Sequence, residues 1–413
     1  MAVFEANFDA VGMGGGVGED IRHHTFGQSA AALILLEHNS HPLSGFDVAS
    51  LLSVHALSFL QGVYTAPWRR LQRAVQPAIP GGILPTHMFR HTMLRIITLG
   101  SPLLAGNLAA FLMKAVDLAM LGRLGTETLA AAGIATLATG VLYTFIWPVS
   151  LGVQALASRR YGRQVAGANT PELQRETAWV LSNGAIAGWL TAAMALLLST
   201  MVGPVLHLLL PDGNLTDLAM EYVRVLRWSM LIMSLGMAHR GFMSAVNRTG
   251  IVMGATILGN ALNVLLNYTF IFGNFGAPAL GIKGAALGTL LAESALTLLF
   301  VLYGQLSPKM RPYKLLRFAH VRRSTIADIV RVMIPPAVQN AAALSIFLTY
   351  QTLIGRLGTG YLAVTSLLFT MFRINKTLVG GFAQGASILV GNSLGAGDTE
   401  HSRRVFVAQE AIA

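Results

Sequence analysis

An all-α bundle that crosses a membrane many times is the fold class this sequence predicts, and three observations predict it. Of 413 residues, 54% are hydrophobic and only 11% are charged, with a mean hydropathy of +0.58, whereas an average soluble domain carries about 25% charged residues. Long stretches hold no Asp, Glu, Lys or Arg at all: 128–158, Thr177–Pro211, Thr249–Ile282 and Val332–Gly355. Each exceeds the roughly 20 apolar residues that a spanning helix needs. The bases gather in the short segments between such stretches, which is the pattern of loops sorted across a bilayer.

The same composition narrows the chemistry. A net charge of +11 spread over inter-helix loops is not the concentrated basic face of a nucleic-acid binder. With no Cys, disulfides, thiolate metal sites and thiol nucleophiles are excluded. No nucleophile–base pair or metal-ligand cluster emerges, so neither an enzyme nor a metal protein is expected, and no cofactor is implied. No cleavable signal peptide is evident, because the first apolar segment comes late and lacks a basic leader.

Residues 1–90 differ from the rest. They contain six acids and one base within the first 60 residues, a glycine cluster at Gly12, Gly14, Gly15, Gly16 and Gly18, and a Pro-rich stretch from Pro67 to Pro85. The glycines follow no strand and have no P-loop lysine, so a phosphate cradle is not expected. His23, His24, His38 and His41 lack the ordered spacing of a metal site. The run Leu43–Tyr64 contains Asp47 and His55 and reads as an interfacial or loosely packed segment. This segment is an atypical extension, disordered or interfacial.

Eight candidate helices follow, at 95–121, 128–156, 176–203, 218–244, 250–273, 281–305, 325–354 and 361–391, with a ninth beginning near His401. Residues 91–308 form a six-helix lobe, 309–324 a basic cytoplasmic linker, and 325–413 part of a second lobe. Arg159, Arg160, Arg163 and Arg175 follow the second helix; Arg240 and Arg248 are assigned to the loop after the fourth; Lys309, Arg311, Lys314, Arg317, Arg322 and Arg323 follow the sixth. These loops, and the N-terminal side of the first helix, are therefore expected in the cytoplasm. Arg224 and Arg227, near the outer end of the fourth helix, fit this orientation less well.

An internal repeat is the most informative feature. Shifted by 233 residues, Pro102 meets Pro335, Asn107 meets Asn340, and Gly122-Arg-Leu-Gly-Thr126 meets Gly355-Arg-Leu-Gly-Thr359, with no gap across 61 positions. Gly152 meets Gly385 and Gly162 meets Gly395. Six helices separate the copies, so both enter the membrane in the same sense. This is a parallel repeat about an axis along the membrane normal. By that repeat, the second lobe would extend roughly 125 residues, or about four helices, past Ala413. A C-terminally truncated second lobe is the expectation.

Three segments resemble the multidrug and toxic compound extrusion (MATE) transporters: Val116-Asp117 followed by GRLGTETLAA, the stretch LNVLLNYTFIFGNFGAPALGIKGAALGT from Leu262 to Thr289, and GFAQGASILVGNSLGAGD from Gly381 to Asp398. The resemblance covers about 95–413. It implies two six-helix bundles around a central cavity and alternating-access export of drug-like, amphipathic, often cationic compounds. It implies Na⁺ or H⁺ as coupling ion and a bacterial-type inner membrane. It says nothing of oligomeric state.

Several residues then stand out. Asp117 is a carboxylate inside a spanning helix, which is costly and so points to function; the resemblance makes it the coupling residue. Carried over with it are Asn263 and Asn267, four apart on one helix face, and Thr289. Together they form a hard-oxygen set suited to Na⁺, or alternatively a set of plain interhelical hydrogen bonds. Lys114, three residues before Asp117, is placed to pair with it, either as a structural ion pair or as a competitor of the coupling ion. Glu293, one turn after Thr289, is a second titrating group or a partner for a nearby base. Arg373 and Lys376 interrupt the eighth helix, where they line the cavity, snorkel or pair with an acid further on. Pro102, Pro148 and Pro335 each remove a backbone bond and bend their helices, for gating or as simple kinks. Two other readings stay open. One is a lipid or oligosaccharide flippase, which requires a wider basic cavity than these spans offer before the eighth helix. The other is a truncated chain that does not transport.

Overall fold

The computed structural model describes residues 86–413, apart from 168, 210–212, 317–319, 358 and 411–413. The glycine cluster, the four histidines and the Leu43–Tyr64 run lie outside the described residues. Helices α1 (Thr86–Gly122), α2 (Thr126–Tyr143), α3 (Pro148–Ala166), α4 (Pro171–Leu198), α5 (Val202–Leu209) and α6 (Gly213–Leu226) come first in the chain. They are followed by α7 (Ser229–Ala245), α8 (Thr249–Phe272), α9 (Ile282–Leu306), α10 (Arg323–Leu357), α11 (Thr359–Gly395) and α12 (Thr399–Glu410). No strand is present among the described residues.

Two of the expected continuous helices are broken. The second divides at Thr144–Trp147 into α2 and α3, because Pro148 has no N–H and opens a new helix at its first position. The fourth divides at Arg227-Trp228 into α6 and α7. Pro102 and Pro335 instead sit inside α1 and α10, which run on through them. Among the described residues, six helical stretches are long and apolar enough to cross a membrane: Arg90–Gly122, Thr126–Ala166, Pro171–Leu208, Thr249–Phe272, Ile282–Leu306 and Arg323–Gln351. The broken α6–α7 pair and α11, which carries Arg373 and Lys376, do not present such a run.

In a bilayer no hydrophobic force drives helices together, so close approach depends on small side chains. Here those are glycines, and they follow the 233-residue repeat. A Cβ on Gly162 of α3 would overlap the Asn392 carbonyl oxygen of α11, and a Cβ on Gly395 of α11 would overlap the Arg159 carbonyl oxygen of α3. The second contact is the first moved by one repeat. Likewise a Cβ on Gly152 would lie 2.9 Å from the Ile329 carbonyl oxygen of α10, and one on Gly385 would lie 3.0 Å from that of Ile96 in α1. On the pseudo-axis itself, Gln154 Nε2 donates to Ser387 Oγ at 2.7 Å, and these two residues are also 233 apart. The chain therefore folds as two copies facing one another, with α3 crossing α11 at the centre.

The linker is not a free loop. Tyr313 and Met310 are buried, with the Tyr313 ring edge-on to Phe242 at 5.7 Å and its hydroxyl accepting from Gln164 Nε2 at 3.0 Å. Burial pushes the Tyr313 hydroxyl above the ordinary tyrosine pKa. Asn183 of α4 donates to the His320 carbonyl at 3.2 Å and accepts from the Arg322 N–H at 2.8 Å. A second correction concerns Arg240, which is not in a loop. α7 continues to Ala245, so the Arg240 side chain lies inside the bundle and Nη2 donates to Asn107 Oδ1 at 2.7 Å.

Gly162→Ala and Gly395→Ala are each expected to lower stability by about 1–3 kcal/mol, because backbone must move to admit the methyl group. Gly254→Ala, at a helical position open on all sides, is expected to leave stability unchanged or raise it by up to about 1 kcal/mol. Thermal unfolding in detergent, followed by tryptophan fluorescence, distinguishes the two cases.

Candidate functional site

Asp117 lies five residues from the end of α1, facing α8 and α9. Asn263 and Asn267 of α8 are both buried, and their i, i+4 spacing puts them on one face. Asn267 Nδ2 donates to Asp117 Oδ1 at 2.7 Å. In the orientation that satisfies both ends of its amide, Asn263 donates to the same Oδ1 at 3.2 Å and accepts from Thr289 of α9 at 3.3 Å. Asp117, Asn263, Asn267 and Thr289 are thus brought into one connected cluster. Tyr222 of α6, not singled out by the sequence, adjoins both Asp117 and Thr289.

The cluster depends on a glycine. Asn267 Oδ1 is buried without a hydrogen-bond partner, and a Cβ on Gly288 of α9 would overlap that oxygen. Only the missing side chain at 288 lets α9 close on the amide. Gly284, one turn earlier, leaves the same space beside the Phe270 carbonyl oxygen. Leu280 N–H then bonds that carbonyl at 2.8 Å, fastening the turn between α8 and α9.

Lys114 does not pair with Asp117. No ion pair within 4.0 Å joins them; the ion pairs among the described residues are Lys283–Glu221, Arg331–Asp328 and Arg404–Glu400. Residues three apart on a helix point about 60° from one another, and here Asp117 turns to the α8 amides while Lys114 turns away. The Lys114 ammonium lies 5.4 Å from the centroid of the Trp147 ring. Glu293 of α9 stands in the field of Arg240 and Lys114, and Arg240 is held by Asn107. Arg373 of α11 lies over the Phe111 ring at 5.7 Å, and Lys376 is exposed. Pro102 and Pro335 lie outside the cluster, in the interiors of α1 and α10.

Asn107, Tyr222, Arg240 and Gly288 were not singled out as site residues by the sequence, although Asn107 stands in the repeat and Arg240 among the loop bases. Arg240 carries the clearest overlooked signal: a lone cation within an otherwise uncharged stretch, Ser229–Asn247, is better placed inside a helix than in a loop.

The fold and site define a multi-span helical membrane protein built on a parallel repeat, with a carboxylate–amide cluster inside its first lobe. A family model, MatE, matches residues 102–269. The chain is 31% identical to a probable multidrug resistance protein NorM of Pseudomonas aeruginosa over 75% of its own length and 62% of that protein. It is 29% identical to a protein of the same name from Agrobacterium fabrum, over 77% and 67% of the two chains. The chain thus spans about two thirds of the length of these curated relatives. In fold it is similar to a solved MATE in the bent conformation, with TM-score 0.68, 22% identity, and 79% and 71% of the two chains covered. It is also similar to a multidrug resistance MATE transporter in an outward-facing conformation, with TM-score 0.67, 21% identity, and 78% and 69% covered. The chain is thus similar to MATE-family proteins in sequence over 102–269 and in fold over more than three quarters of its length.

Gly288→Ala is expected to lower stability by about 1–3 kcal/mol, because the new methyl group meets the Asn267 amide. In an Asn267→Ala background the added cost is expected to fall by at least half, since contacting residues are non-additive. Unfolding of the four proteins of this cycle in detergent measures the coupling.

Proposed function

We propose that the chain works in multidrug efflux, exporting small drug-like amphipathic compounds across a bacterial inner membrane by alternating access, with Asp117 as the coupling carboxylate. The observation that carries this reading is the Asp117 environment. A carboxylate within a spanning segment meets two amide donors on one oxygen, and among the described residues no base pairs with it within 4.0 Å. An unpaired intramembrane acid of this kind is a group whose charge must be managed in the transport cycle.

The donor set favours a proton over Na⁺ as coupling ion. Both amides present N–H to Oδ1, so a proton can be carried on the other carboxylate oxygen without rearrangement. Na⁺ binding needs the amide oxygens, and that of Asn267 is directed at Gly288. Neutralising Asp117 leaves both amide bonds to Oδ1 possible but takes away their charge assistance, which eases a shift of α1 against α8. Export is coupled if substrate and proton favour opposite arrangements of that helix. The base-rich segments at Arg159–Arg175 and Lys309–Arg323 support placing the N-terminal side of α1 and both segments in the cytoplasm. The NorM relatives' names support multidrug resistance as the process.

In proteoliposomes holding the full chain, a pH gradient is expected to drive efflux of a fluorescent dye, and Asp117→Asn to reduce it at least about tenfold, which is about 1.4 kcal/mol of lost coupling. Dye movement that is equal in the two proteins would remove Asp117 from the mechanism. Efflux driven by a Na⁺ gradient and indifferent to pH would replace the proton with Na⁺.

A further inference from the structure

The charge left over once the Asp117 cluster and the Arg240–Asn107–Glu293 group are accounted for is positive. Arg373 of α11 reaches the Phe111 ring of α1, one turn from Lys114, and the two charges act on one another. Each is exposed and lies over an aromatic ring, Lys114 over Trp147 at 5.4 Å and Arg373 over Phe111 at 5.7 Å. Phe111 and Lys114 are three residues apart and share a face of α1. Lys376, three residues beyond Arg373, adds a third exposed cation on the corresponding face of α11. None of the three bases forms an ion pair within 4.0 Å among the described residues. Two acids act on Lys114 from a distance, Asp117 and Glu293. The first is held by the α8 amides, and the second also faces Arg240.

Like charges that approach across the two segments repel one another. A cationic ligand entering between α1 and α11 would add to that repulsion. An anion would relieve it, bonded by two cations, with an apolar or aromatic body lying against Phe111 and Trp147. We propose that the Lys114–Arg373 pair, with Phe111 and Trp147, forms the polar-head site for an amphipathic anion, a compound with a carboxylate, sulfonate or phosphate on an aromatic or aliphatic body. This rests on the efflux reading above and sets its substrate class apart from cationic compounds. The same chemistry is found in a soluble acid and in the headgroup of an anionic lipid.

Binding to the full chain in nanodiscs of zwitterionic lipid, measured by calorimetry, tests this with two probes of matched body: 1-naphthalenesulfonate and 1-naphthylmethylammonium. The sulfonate is expected to bind at least about tenfold more tightly, and Lys114→Gln or Arg373→Gln to weaken it about tenfold each, as loss of one charged contact does. Lys114→Arg, which keeps the charge, should stay within about threefold of the native chain. Equal or tighter binding of the ammonium probe to the native chain overturns the proposal, even if the variants fail to fold. So does sulfonate affinity that is unchanged in both charge-removing variants. Competition by phosphatidylglycerol added to the nanodiscs would assign the site to a lipid headgroup; its absence would assign it to a soluble anion. Because no ion gradient is used, a chain that binds sulfonate but does not export would leave this site standing and remove the efflux reading. A chain that exports cationic dye and ignores sulfonate would remove only this site.

Discussion

Everything in this structure depends on two backbones meeting where α3 crosses α11. Lipid does not push helices together, so the contact relies on van der Waals packing over a surface without side chains. Gly162 against Asn392 and Gly395 against Arg159 supply that surface. Because the contact is repeated by the pseudo-symmetry, the adjoining crossings are set at the same time. Gly152 seats α3 on α10, and Gly385 seats α11 on α1. A side chain at any of these four positions would push the crossing backbones apart locally, at a cost of about 1–3 kcal/mol.

Charge in the bundle is segregated by partner rather than by sequence distance. Asp117 is held by amides, Arg240 by the Asn107 amide near Glu293, and Lys114 and Arg373 by aromatic rings. Neutral dipoles hold an ion in a low-dielectric interior without cancelling its charge. An ion held by amides remains available to a proton or a ligand, whereas one locked in a tight salt bridge would not. That distinction supports the coupling role proposed for Asp117, and it underlies the anion site proposed at the cations of α1 and α11.

Much of the fold was legible because lipid restricts a chain to regular helices and makes uncharged length a direct signal. The failures have two causes. Pro148 opens a new helix rather than bending one, which sets the break at Thr144–Trp147, and the placement of Arg240 turns on which helix face meets a neighbour. Hydropathy averaged over a window does not contain that information. Lys114 shows the same limit at the scale of one turn: its spacing from Asp117 permits an ion pair, but the competing amides of α8 come from a segment about 150 residues away.

The sequence by itself determined the helical membrane class, the parallel repeat and the identity of the intramembrane acid, since each is written in composition or in self-similarity along one chain. The tertiary structure alone decided which partners that acid takes, where Arg240 and Lys114 point, and why Gly288 must lack a side chain. Those are contacts between helices far apart in sequence, settled by packing in three dimensions. No local pattern encodes them, because the same residues on the same helix could face a different neighbour with no change in periodicity or charge.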